Sequence, residues 1–138
     1  MRDAWQRYAD SRDLWLALRA QGQGALVGLD ARLAEAYLAN GEADKARATA
    51  ETGLAASPGD AELLTLAGRA SERLGRDDDA LKRYREALGA KPTAVTALDG
   101  AVALLRRLHR DGEARDLIGE CVERSGGDPA VRARAAAR

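Results

Sequence analysis

The sequence predicts an all-α protein made by stacking helical hairpins. Apolar residues recur at helical spacing in paired segments, the pairs recur at a fixed interval, and small residues stand where paired helices would cross. The composition agrees: alanine dominates, phenylalanine is absent and 4% of residues are aromatic, which suits close-packed helices better than a sheet rich in aromatic and β-branched residues.

The clearest pair runs from Leu64 to Pro92. Leu64, Ala67, Gly68, Ser71 and Leu74 share one helical face; Gly75 breaks the run; then Ala80, Leu81, Tyr84, Ala87 and Leu88 share another. Ala67, Gly68, Ala80 and Ala87 would let the two axes approach, with Leu64, Leu74, Tyr84 and Leu88 filling the flanks. Helix starts are expected at Asp60 before Ala61, at Asp77, Asp78 and Asp79 before Ala80, and at Thr93 before Val95. The three aspartates serve amides and dipole at a helix start, since the alternating ligands and glycine of a calcium loop are missing. Asp128 followed by Pro129 signals a further start, leading into a short arginine-bearing helix that either caps the stack or opens a further unit.

This order of residues resembles the tetratricopeptide repeat, a pattern of thirty-four residues. With Ala61 as first position, Leu64 takes the usual tryptophan's place, Ala67 and Gly68 that of the Leu-Gly pair, Ala80 and Ala87 those of the two alanines, Tyr84 the second aromatic's and Pro92 the terminal proline's; Ser71 departs, standing where an aromatic is usual. The pattern recurs from Val27, with Leu33, Ala34, Tyr37, a turn at Asn40 and Gly41, then Ala46, Ala50, Gly53, Leu54 and Pro58. Ala50 and Gly53 stand for larger residues, so this hairpin is expected to pack less volume. From Val95 the signature fades: Val102 replaces the close-contact glycine, His109 the turn glycine and Gly126 the proline, with the turn glycine displaced to Gly112. The expected organisation is an N-terminal amphipathic helix and glycine linker (1–24), three repeats within 25–128 (27–60, 61–94 and a degenerate 95–128), and a capping or truncated helix (129–138).

The resemblance implies a right-handed α-solenoid whose first helices line a concave groove that binds a protein or peptide. Carried over by repeat position, the lining includes Glu35, Leu38, Glu62, Thr65, Arg69, Glu72, Arg73, Asp99, Arg106 and Arg107. The four arginines could grip carboxylates bidentately. A related branch of the family clamps chaperone tails with Lys and Asn; here Ala31, Glu35, Thr96 and Gly100 stand at those places, so that clamp is absent.

Other functional classes find little support in the residues. Lys plus Arg equals Asp plus Glu at 22 each, so no bulk field steers the chain to nucleic acid. No apolar run is long enough for membrane insertion and no secretory segment follows Met1; the expected compartment is the cytoplasm, or the periplasm if the chain belongs to a larger envelope protein. His109 is the sole histidine and Cys121 the sole cysteine, the first expected as an exposed turn residue and the second as a buried packing residue; no catalytic, metal or cofactor constellation surrounds either. The leading expectation is a non-enzymatic interaction module. An alternative is a self-assembling scaffold or section of a secretion, envelope or organelle protein, a homo-oligomer held through Trp5, Tyr8 and Trp15 on one helical face; a secretion chaperone shares the same size and repeat number.

Overall fold

A computed structural model describes residues 29–136, together with residues 12–14 and 16. The expectations for Trp5, Tyr8 and Trp15 lie outside the described residues. Between residues 29 and 136 the chain forms seven helices in series: α1 (Leu29–Ala39), α2 (Ala43–Ala56), α3 (Ala61–Arg73), α4 (Asp77–Ala90), α5 (Val95–Arg107), α6 (Asp111–Arg124) and α7 (Pro129–Ala136). The described residues contain no strand. Each helix packs on the next, and α3 also touches α1 and α5, so odd-numbered helices form one layer and even-numbered helices the other. This is an all-α solenoid of hairpins. Helices start at Ala61, Val95 and Pro129 in the first layer and at Ala43, Asp77 and Asp111 in the second, one thirty-four-residue interval apart each time.

The turn within each hairpin is set by the backbone. Gly41 and Gly75 adopt φ of +78° and +76°, and the amide after each reaches back to close the helix end: Glu42 N–H to the Tyr37 carbonyl and Arg76 N–H to that of Ser71, both at 2.9 Å. His109 does the same work in the third hairpin, at φ +60°, with Arg110 N–H donating to the Leu105 carbonyl at 2.8 Å. The turn glycine is therefore not displaced: Gly112 lies inside α6, and a histidine holds the left-handed conformation directly.

Helix starts divide into two kinds. Asp60 accepts from the Leu63 amide at 3.1 Å, and Asp128 accepts from Ala130 and Val131 at 3.0 and 3.3 Å, as short polar residues before a helix should. The aspartate run begins α4 three residues earlier than expected. Arg76 is the residue before the helix, and Asp77, Asp78 and Asp79 occupy its first turn, where carboxylates favour the dipole without capping an amide. Thr93 does not cap α5 either; Ala94 stands at that place and makes no side-chain bond there.

The core is a spine of alanine and leucine between the layers. Ala67, Ala80 and Ala87 are fully buried and Gly68 is buried beside them. Leu74 does not fill the flank of its hairpin, because α3 ends at Arg73 and the side chain is 39% exposed. Tyr84, at 1% exposure, fixes the register between hairpins. Its ring lies where a Cβ on Gly68 would come within 2.8 Å of Cε1 and one on Gly100 within 2.8 Å of Cζ, so it is held between α3 and α5 at two places that only glycine leaves open. The equivalent places in the preceding repeat carry Ala34, Ala50 and Leu66, and in the following one Val102, Ile118 and Arg134. Bulk thus moves among three positions that meet at each junction. Gly53 illustrates the same exchange: Leu63 of the next hairpin occupies its space, with Cδ1 2.9 Å from where a Cβ would stand, which offsets the volume the sequence predicts to be missing there.

Candidate protein-binding groove

The first-layer helices present two hollows. One, of about 410 Å³, lies between α3 and the start of α5 and is lined by Glu35, Glu62, Thr65, Arg69, Lys91 and Thr96 among others. The second, of about 500 Å³, is bounded by Asp99, Val102, Ala103 and Arg106 of α5, by Ile118, and by Ala133 and Arg134 of α7. Both fall on the layer that the repeat positions predict as concave.

The acidic side chains at these hollows are occupied by arginines of the same layer. Arg32 spans Glu35 at 2.8 Å and Glu62 at 3.2 Å, which raises its pKa through the hydrogen bond and charge of Glu35 first and the charge of Glu62 next. Arg134 grips both carboxylate oxygens of Asp99, at 3.1 and 3.2 Å, and its pKa rises for that reason. The basic residues behave otherwise. Arg69, Lys91 and Arg106 form no ion pair or side-chain hydrogen bond with the described residues, and all three are exposed.

The residues expected to line the groove therefore separate into three groups. Glu35, Glu62, Thr65 and Arg69 come together around the first hollow, and Asp99 and Arg106 around the second. Thr65 is 7% exposed and its hydroxyl donates to the Ala61 carbonyl at 2.7 Å, so it gives the floor shape more than free hydrogen-bonding capacity. Glu72, Arg73 and Arg107 are engaged in joining repeats. Arg73 donates to the Leu38 carbonyl at 2.6 Å, closing the end of α1; one repeat later Arg107 reaches Glu72 at 3.4 Å and Asp77 at 3.0 Å. Glu72 also accepts from the Tyr84 hydroxyl at 2.9 Å. Leu38 does not line the groove at all. At 2% exposure it belongs to the core cluster.

Lys91 is a charged lining residue of the first hollow that the repeat positions did not nominate. It follows α4, in the link between hairpins, where helical periodicity carries no information about direction. Its lack of an acidic residue three or four places away was the available signal.

On the second layer, arginines staple successive hairpins: Arg47 to Asp79 at 3.5 Å, Arg83 to Glu51 at 2.7 Å and Arg85 to Glu113 at 3.8 Å. These pairs are part-exposed and each contributes little. Cys121 is 2% exposed and burial pushes its thiol pKa up, away from nucleophilic use. No group of three His, Cys, Asp or Glu able to hold a metal occurs among the described residues, and no described helix is long and apolar enough to cross a membrane.

Stacked hairpins with buried junctions, repeated at a thirty-four-residue interval, define the class, a helical repeat protein. Residues 27–70 match the family model described as tetratricopeptide repeat, over the first hairpin and the first helix of the second. That stretch of the chain is similar to the tetratricopeptide repeat, whose typical role is protein interaction. No curated protein matches it.

Proposed function

We propose that the protein is a non-enzymatic interaction module that binds an extended or helical segment of a partner protein along the first-layer helices. The observation that carries this reading is the pair of hollows between α3, α5 and α7, with cations at their rims that have no ion-pair partner among the described residues, beside side chains already committed to one another. Hairpins stacked in one dimension expose such a surface without a separate loop to build it. Thr96, exposed at the edge of the first hollow, is the place to obstruct it.

Peptides selected from a displayed library on the immobilised protein are expected to bind the wild type and lose binding to the Thr96→Trp variant, whose bulk occupies the hollow. Selected peptides that bind both proteins equally would put the binding surface elsewhere. Thermal denaturation of the variant checks that its fold is intact.

A further inference from the structure

Building on the groove reading, we infer that the occupant is an acidic segment whose two side-chain carboxylates, three residues apart, are held by Arg69 with Lys91 at the first hollow and by Arg106 at the second. A net charge of zero conceals an uneven distribution. On the groove side every acidic residue lining the two hollows is matched: Glu35 and Glu62 by Arg32, Asp99 by Arg134. The cations lining them are matched only at Arg134, which leaves Arg69, Lys91 and Arg106 with positive charge uncompensated among the described residues. The second-layer helices carry the reverse excess: Asp44, Asp78, Asp111, Asp116, Glu120 and Glu123 form no ion pair with the described residues, against Lys82, Arg115 and Arg124, the last donating only to the Gly89 carbonyl. A ligand of opposite sign is drawn to the first layer and repelled by the second.

Spacing narrows the ligand further. Arg69 sits on α3 and Arg106 on α5, neighbouring first-layer helices. Packed helix axes lie about 8–10 Å apart, and Arg106 stands three residues further along its helix than Arg69, a rise of about 4.5 Å, so their backbones are roughly 10 Å apart. In a polyproline-type extended segment, residues three apart face the same way and are separated by about 9 Å, which matches that interval. The hollows are recesses of about 410 and 500 Å³, roomy enough for several side chains of a segment, which fits a protein segment better than a flat bilayer or a stacked run of bases; the described part of the groove offers no aromatic platform at its rim. Glu35 and Thr96 stand where a terminal-carboxylate clamp would need its Asn and one of its basic residues, so the contact is to side-chain carboxylates within a segment.

The test is fluorescence anisotropy with a labelled nonapeptide of alanine and proline that carries two glutamates three residues apart, and with its glutamine isostere. The glutamate peptide is expected to bind at least tenfold more tightly than the isostere, with affinity falling as salt is raised. Arg69→Glu with Arg106→Glu should weaken it at least tenfold, and Arg69→Gln with Arg106→Gln should weaken it in the same direction should charge reversal disturb folding. Arg115→Glu, on the second layer, should leave it unchanged. Equal binding of both peptides would overturn the inference, as would binding that survives both pairs of arginine variants. An oligothymidylate of matching charge that binds more tightly than the glutamate peptide would overturn it in favour of nucleic acid. Neutral display-selected peptides that still fail on Thr96→Trp would sink the acidic occupant and leave the groove standing; peptides indifferent to Thr96→Trp would remove both.

Discussion

Gly100→Ala should reverse the usual sign of its class. In an open helical site alanine stabilises by about 1 kcal/mol relative to glycine. At Gly100 the added Cβ would stand 2.8 Å from Tyr84 Cζ, 3.0 Å from Cε1 and 3.1 Å from the hydroxyl oxygen. Carbon atoms in contact settle about 3.5–4.0 Å apart, so the ring must withdraw by roughly 0.7 Å or more. Withdrawal is blocked on the other side, where Cε1 and Cδ1 already fill the space over Gly68, and Tyr84 is only 1% exposed. Overpacking of that kind costs about 2–3 kcal/mol, and after the helix-propensity gain the net loss is about 1–2 kcal/mol. Urea denaturation followed by far-UV circular dichroism would be run on the wild type, Gly100→Ala, Tyr84→Leu and the double variant. Leucine does not reach α5 as the tyrosine ring does, so in that background Gly100→Ala is expected to be neutral or stabilising, a coupling of about 2 kcal/mol. If Gly100→Ala stabilises the wild type as much as it stabilises Tyr84→Leu, the ring is not what registers the second hairpin on the third.

Four further outcomes follow from the same contacts. His109→Gly should stabilise by about 1 kcal/mol, because a β-carbon at φ +60° is strained where glycine is not; an unchanged denaturation midpoint would contradict this. Arg73→Met keeps the stem but loses the bond to the Leu38 carbonyl and should cost about 1 kcal/mol, whereas Arg69→Met should stay within about 0.5 kcal/mol in the same denaturation assay. Burial, then the hydrogen bond and charge of Glu72, hold the Tyr84 phenol well above its ordinary range, outweighing the opposing charges of Arg69 and Arg107. The folded protein keeps this proton after the unfolded chain has lost it, so this contribution is complete below about pH 10 and declines as pH rises above it; Tyr84→Phe should flatten that decline. The Cys121 thiol should resist a thiol-reactive disulfide reagent in the native protein at neutral pH and react once urea unfolds it.

The hairpins were legible because their code is local: Leu64, Ala67, Gly68 and then Ala80, Tyr84, Ala87 mark a pair of faces within one repeat, and the helices fall where those faces predict. Contacts between repeats were not. Gly100 looked unremarkable within its own hairpin, because the ring that requires it comes from the hairpin before. Arg73 and Arg107 stood at lining positions, yet an arginine long enough to reach a ligand also reaches the end of the preceding helix or its carboxylate, and there a partner is always present. Leu38 failed as a lining residue for a simpler reason: carrying a repeat position over assigns a face, while burial depends on what the neighbouring helix brings. His109 shows the converse. Its residue type argued against the turn conformation, but the pattern of bonds to Arg106 and Leu105 imposed it.

The most direct test of groove binding is amide chemical-shift mapping on the isotope-labelled protein titrated with the two-glutamate nonapeptide. Shifts concentrated on Thr65, Arg69, Thr96, Ala103 and Arg106, with Lys82, Arg115 and Glu120 unmoved, are expected if the first-layer hollows hold the ligand. Shifts confined to α4 and α6 would contradict a ligand site on the first layer.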